Sequence, residues 1–205
     1  MAPCLALRGL VLSRGAIETL NLEFDAGVHL IVGPNGIGKT SLLNTLAGTL
    51  PPRAGTLLLD GEPLAARSAS VVLAPNVPPD IPWIRARLLL DFVLSLYPAT
   101  RVAPAETEAT LERLGIAGVM DAPLGTLSAG TARKLLLAAA LCARPPVLLF
   151  DEPTNEVDAA SIAVFRELIG PLAASRVVLI TTHHAGDLAS VNPRVVALGP
   201  AVSSP

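Results

Sequence analysis

The chain has 205 residues, 51% of them hydrophobic and 16% charged, which fits one domain with a substantial core and excludes intrinsic disorder. With 15 basic and 17 acidic side chains the formal net charge is −2, so no overall field draws in nucleic acid. Two cysteines, Cys4 and Cys142, exclude a disulfide scaffold and suit a reducing compartment.

In chain order, apolar runs of strand length fall at 4–7, 20–24 and 28–32, followed by a helical stretch at 39–48. Strand-like runs return at 56–59 and 71–74. Helical patterns follow at 84–96, 104–114 and 129–142, then a strand at 147–150, a helix at 159–173, and strands at 177–181 and 195–198. Several of these runs are continuously apolar, as strands covered on both faces require. The alternation predicts an α/β domain with a mainly parallel central sheet. Residues 75–126 carry two helical patterns and no convincing strand, which reads as a helical insertion. Its entry, Ala74-Pro75-Asn76-Val77-Pro78-Pro79-Asp80-Ile81-Pro82, is turn-rich and held away from helix. The tail 199–205 is expected to fray.

The mean hydropathy of +0.57 requires a test for a membrane span. The most apolar stretch, 135–150, is cut by Arg144, Pro145 and Pro146, and neither piece reaches the roughly 20 residues a bilayer needs. Arg8 interrupts the N-terminal apolar run and no Lys or Arg precedes it, against a signal peptide. Cys4 follows no apolar leader, against lipidation.

Gly33-Pro34-Asn35-Gly36-Ile37-Gly38-Lys39-Thr40 fits G-x-x-x-x-G-K-[ST] and joins an apolar strand to a helix that continues through Ser41. Glycines let successive backbone N–H groups face phosphate oxygens, and the helix N-terminus adds its positive end. Lys39 is expected to reach the terminal phosphates of ATP and Thr40 to ligate Mg²⁺. The competing reading is a glycine-rich turn that happens to end in Lys-Thr. Yet Lys39 and Lys134 are the only lysines in a chain that otherwise uses arginine, and a compact ammonium suits a phosphate. Val147-Leu148-Leu149-Phe150 ends in Asp151-Glu152. A buried strand would deliver Asp151 to Mg²⁺ and leave Glu152 to polarise an attacking water. The plainer alternative is a strand ending in solvated turn acids. Two adjacent acids favour a hydrolase over a small-molecule kinase.

With these motifs in this order the chain resembles the ABC-type ATPases, the nucleotide-binding subunits of ATP-binding-cassette transporters, over about residues 4–200. Leu127-Ser128-Ala129-Gly130-Thr131 resembles the family's L-S-G-G-Q signature, which implies that Ser128, Ala129 and Gly130 meet ATP held by a second subunit. Ser128 is also an ordinary helix N-cap. Asn155-Glu156-Val157-Asp158 resembles the D-loop, with Asp158 the cross-subunit contact. His183 resembles the switch histidine, with His184 competing for the role. The resemblance implies one ABC ATPase domain over 1–205: a core of about 1–74 and 127–200 with a small antiparallel β subdomain, and a helical subdomain of about 75–126. It implies catalytic Glu152 and His183, metal ligands Thr40, Asp151 and Asn76, and ATP with Mg²⁺ as cofactors.

Three departures stand out. Asn76 occupies the place of a glutamine and is one methylene shorter. Ala129 and Thr131 replace a glycine and a glutamine. Arg14, within Ser13-Arg14-Gly15, stands where an aromatic would stack on adenine, and a guanidinium can also stack on a base. The resemblance further implies a homodimer or heterodimer with a second ATPase subunit, separate integral-membrane permease subunits, no nucleic-acid partner, and a peripheral place at the cytoplasmic membrane face. A docking groove is expected at 75–87, where Trp83 is either an interface anchor or part of the insertion's core. Shortness, the absence of a C-terminal regulatory domain, Ser-Arg-Gly and Leu-Ser-Ala-Gly resemble haem-exporter-like, multidrug and peptide exporter subunits. They imply export of no particular substrate. The alternative is a soluble ABC-type ATPase acting on ribosomes or DNA.

Overall fold

A computed structural model describes residues 2–17, 19–64, 69–183 and 185–199. Two sheets carry the fold. The first is antiparallel, ordered β2-β1-β4-β5, from β1 (Leu5–Val11), β2 (Leu20–Phe24), β4 (Ala54–Leu59) and the two-residue β5 (Glu62–Pro63). The second is parallel, ordered β6-β7-β8-β3-β9, from β3 (Gly27–Val32), β6 (Val71–Ala74), β7 (Val147–Asp151), β8 (Val177–Thr181) and β9 (Arg194–Ala197). The fold class expected from sequence is therefore observed. The runs at 4–7, 20–24 and 56–59 form the antiparallel sheet. β1 extends beyond its apolar run, with an irregularity in its pairing between Leu7 and Leu10.

β7 and β8 are buried along their whole length. Alternate side chains leave on opposite faces: Val147, Leu149, Val177 and Leu179 join one apolar cluster, and Leu148, Phe150, Val178 and Ile180 the other. The first cluster takes α1 (Lys39–Leu46) and the inner face of the antiparallel sheet. The second takes α2 (Ala86–Ser95), α3 (Pro104–Arg113), α4 (Ala129–Ala143) and α5 (Ala159–Ala173). The continuous hydropathy of these strands thus reflects a sheet covered on both sides.

Local chemistry sets the helix ends. Pro104 starts α3 where its missing N–H costs nothing. Ser128 caps α4 by accepting from the Thr131 N–H at 3.2 Å, and Asp158 caps α5 by accepting from the Ser161 N–H at 2.8 Å. Arg144 closes α4 in the left-handed region, followed by Pro145 and Pro146. Between β6 and α4 the described residues hold α2, α3 and short 3₁₀ turns. Trp83 is 72% exposed and so lies outside the core, with Leu88 and Phe92 exposed beyond it on α2. No helix among the described residues is long and apolar enough to cross a membrane. Residues 200–205 of the expected tail lie outside the described residues.

Candidate functional site

Three carboxyl ends of the parallel sheet converge. β3 runs into residues 33–38 and α1, while β7 and β8 end on Asp151 and Thr181, which are register partners. Ligands of open α/β sheets bind at such strand ends. Gly38 is the residue before α1, at φ +121, a region L side chains rarely adopt. An added Cβ would also come within 3.2 Å of Leu12 Cδ1. The loop is braced from the side, with the Ala16 N–H donating to the Ile37 carbonyl at 3.1 Å. Arg14 is exposed on that bracing segment.

Lys39 is 8% exposed, and its ammonium folds back over the loop, donating to the Gly33 carbonyl at 2.7 Å and the Pro34 carbonyl at 3.3 Å. Pro34, Asn35 and Gly36 are exposed at the tip, Ile37 anchors the loop in the core, and Ser41 continues α1. The loop therefore offers an ammonium, a helix N-terminus and an open tip at one place.

Opposite it, Asp151 is 3% exposed. Its Oδ1 accepts from the Thr40 hydroxyl at 3.2 Å and from the Thr181 hydroxyl at 2.6 Å. Thr40 and Asp151 therefore present adjacent hard oxygen donors, the set that suits Mg²⁺. Glu152 turns out of the strand at φ +49. Its N–H is held by the Thr181 carbonyl at 3.1 Å and hydroxyl at 3.0 Å. Its carboxylate accepts from the His183 N–H at 3.2 Å and lies 3.2 Å from His183 Nε2. Glu152 is buried while the His183 ring is about half exposed, so the pair spans core and surface. The structure thus brings together residues 33–41, Asp151, Glu152 and His183. His184 lies outside the described residues.

Ser128 and Ala129 are exposed at the start of α4, and the Ser128 hydroxyl lies 2.8 Å from that of Thr131. No hydrogen bond among the described residues links 128–130 to 33–41. Their neighbour is the segment after Glu152. A Cβ on Gly130 would collide with the Glu156 carbonyl, so only glycine permits this approach. One turn on, Lys134 pairs with Asp158 at 2.5 Å. Lys134 and the Ser161 N–H hold the Asp158 carboxyl below the usual range, so that carboxylate is engaged within the chain.

Asn76 is not brought to Thr40 or Asp151 by any hydrogen bond among the described residues. It lines a cleft of about 530 Å³ with Val77, Ala129, Arg133, Asn155 and Glu156. Arg133 is the one buried arginine among the described residues, 5% exposed. It donates to the Asp151 backbone carbonyl at 3.3 Å. Burial pushes its guanidinium down from the usual arginine range, opposed by the nearby Glu156, Asp151 and Glu152. Sequence reasoning missed both Thr181 and Arg133. Thr181 was visible only as the last residue of an apolar run, and Arg133 only as one of thirteen arginines.

Comparison with known proteins agrees with this geometry. Residues 17–155 match the profile of the ABC transporter family. The chain is 39% identical over 192 residues to the cytochrome c biogenesis ATP-binding export protein CcmA of Pseudomonas putida strain GB-1, covering 89% of each. It is 36% identical over 176 residues to the zinc import ATP-binding protein ZnuC of Cereibacter sphaeroides, covering 82% of this chain and 66% of that one. A solved ATP-binding subunit of an ABC transporter superposes with a TM-score of 0.81 at 21% identity, over 96% of this chain and 86% of that one.

Proposed function

The chain belongs to the ABC transporter family, and from that premise we propose that it hydrolyses ATP as one half of a dimer and so powers export through separate membrane permease subunits. Export is favoured over import by the likeness to CcmA, which spans 89% of both chains, against 66% of ZnuC. No relative among those compared supports an action on ribosomes or DNA.

In this mechanism the backbone N–H groups of 33–38, the N-terminus of α1 and Lys39 bind the terminal phosphates. Lys39 exchanges its two carbonyl partners for phosphate oxygens. Thr40 and Asp151 are the residues that would hold Mg²⁺, which when bound offsets phosphate charge. Glu152 accepts a proton from the water that attacks the γ-phosphate, and His183 steadies both Glu152 and the phosphate. Ser128, Ala129 and Gly130 face the nucleotide of the second subunit, whose own signature completes this chain's site. Asn76, on the connector that joins the helical segment to the site, is the further residue that would hold Mg²⁺. The permease docks on that connector and the exposed Trp83, at the cytoplasmic membrane face. The transported substrate is set by the permease.

The observation that carries this reading is the convergence of Thr40, Asp151, Glu152 and His183 beside a Lys39-bearing loop. Glu152→Gln tests it. The variant should bind ATP, lose at least about 100-fold in turnover, and shift to a dimer on size exclusion with ATP. Wild-type turnover in this variant refutes the assignment of Glu152. A variant that stays monomeric with ATP removes the homodimer and leaves a heteromeric pair.

A further inference from the structure

Arg133 stands out because its burial is hard to explain by stability. It lines the cleft with Asn76, Val77, Ala129, Asn155 and Glu156. No carboxylate among the described residues reaches it within salt-bridge distance; its hydrogen bond goes to the Asp151 backbone carbonyl. A cation buried without direct ion pairing costs free energy.

We infer that Arg133 is a positioning residue for ATP hydrolysis: its guanidinium ties α4 to the Asp151 carbonyl and so fixes the turn that presents Glu152. This rests on the role proposed for Glu152. The geometry is economical. Asp151 is held at its carboxylate by Thr40 and Thr181 and at its carbonyl by Arg133, so donors from α1, β8 and α4 fix a single residue. The next peptide carries the left-handed turn at Glu152, a conformation that persists only where its surroundings over-determine it. Without Arg133, the Asp151 carbonyl loses its side-chain donor and the peptide ahead of Glu152 is freer to rotate. The charge also matters. Arg133 lies in the joint field of Glu156, Asp151 and Glu152, and it lowers the cost of gathering these acids beside a triphosphate.

The test is a substitution series in the full chain, measuring steady-state ATP hydrolysis with Mg²⁺, ATP affinity by titration with a fluorescent ATP analogue, and thermal unfolding. Arg133→Met removes charge and donor, Arg133→Gln keeps a donor, and Arg133→Lys keeps a charge and a donor. The expected kcat falls in the order wild type, Lys, Gln, Met, with Met down about 10- to 100-fold. KM and analogue affinity stay within about twofold, and the loss of kcat persists at temperatures well below each variant's melting transition. A purely structural arginine would lower the melting temperature while leaving the kcat of the folded variants near that of the wild type, with Lys no better than Met, and that pattern overturns the inference. So does turnover within about twofold of wild type for Met. If Met does not fold, Lys and Gln decide by the same criteria. A wild-type chain without ATPase activity would instead sink the parent reading, so the two failures are distinguishable.

Discussion

Thr181→Val isolates one hydroxyl at the centre of the site. Thr181 is fully buried, donates to Asp151 Oδ1 at 2.6 Å, and accepts from the Glu152 N–H at 3.0 Å. Valine keeps the branch at Cβ and nearly the same volume, so little cavity forms and the loss is polar. A hydrogen bond to a charged group contributes about 1.5–3 kcal/mol. The Glu152 N–H retains the Thr181 carbonyl at 3.1 Å, so the second bond costs little. The added buried methyl returns about 0.8 kcal/mol. The net is a loss of about 1–2 kcal/mol, or about 2–8 °C in melting temperature for a chain of this size. Because Asp151 then keeps only Thr40 as a side-chain donor, the Mg²⁺ concentration for half-maximal ATPase activity should rise roughly 10-fold. Thermal unfolding and a Mg²⁺ titration of turnover measure the two effects. A melting temperature within about 1 °C of wild type, with unchanged Mg²⁺ dependence, would refute the view that this hydroxyl holds the carboxylate.

Lys39→Ala should abolish binding of a fluorescent ATP analogue while leaving the melting temperature without nucleotide nearly unchanged, because the lysine's partners are two loop carbonyls. Gly130→Ala should lower the melting temperature and turnover together, since the new methyl meets the Glu156 carbonyl; a variant indistinguishable from wild type in both removes that contact from the account. His29 is 3% exposed, with Nε2 at 2.9 Å from the Asp25 carbonyl. Burial, with some help from Arg194, pushes its pKa down. Its neutral form is therefore the native one. The unfolded chain takes up a proton below about pH 6.5 while the folded one does not, so stability is full above that pH and falls as pH drops towards the folded value. Melting curves from pH 7.5 to 5 should show this decline in the wild type and a shallower one in His29→Leu; parallel curves would refute it.

What was legible in the sequence is what local chemistry dictates. The P-loop, the apolar run ending in Asp151-Glu152 and α5 need only neighbours in the chain, and α5 falls on its expected bounds. The split into two sheets was not legible from the runs themselves, because 4–7 and 56–59 look no different from 71–74. What separates them is partner choice: Leu5 pairs with Phe24 and Leu59, whereas Val71 pairs with Val147. Thr181 escaped notice for the same reason, since its bond to Asp151 follows from the register of β7 on β8. Asn76 takes its expected metal-binding role from the glutamine whose place it holds; it lines the cleft beside α4 with Ala129 and Arg133.

The hidden contacts also explain why the signature and the acidic turn work as one body. Gly130 lies against the Glu156 carbonyl, Arg133 holds the Asp151 carbonyl, and Lys134 pairs with the Asp158 cap of α5. Three contacts within about one turn join the first residues of α4 to residues 151–158, while no hydrogen bond among the described residues joins 128–130 to the P-loop. A displacement of α4 therefore acts on the Glu152 turn through Arg133, and on Thr40 through the Asp151 carboxylate. In the proposed dimer Ser128 serves the partner's nucleotide and Glu152 serves its own, so that rigid connection gives each subunit a direct mechanical path between the two sites. The path runs through side chains whose proximity follows from the packing of α4 on β7, not from their order in the chain.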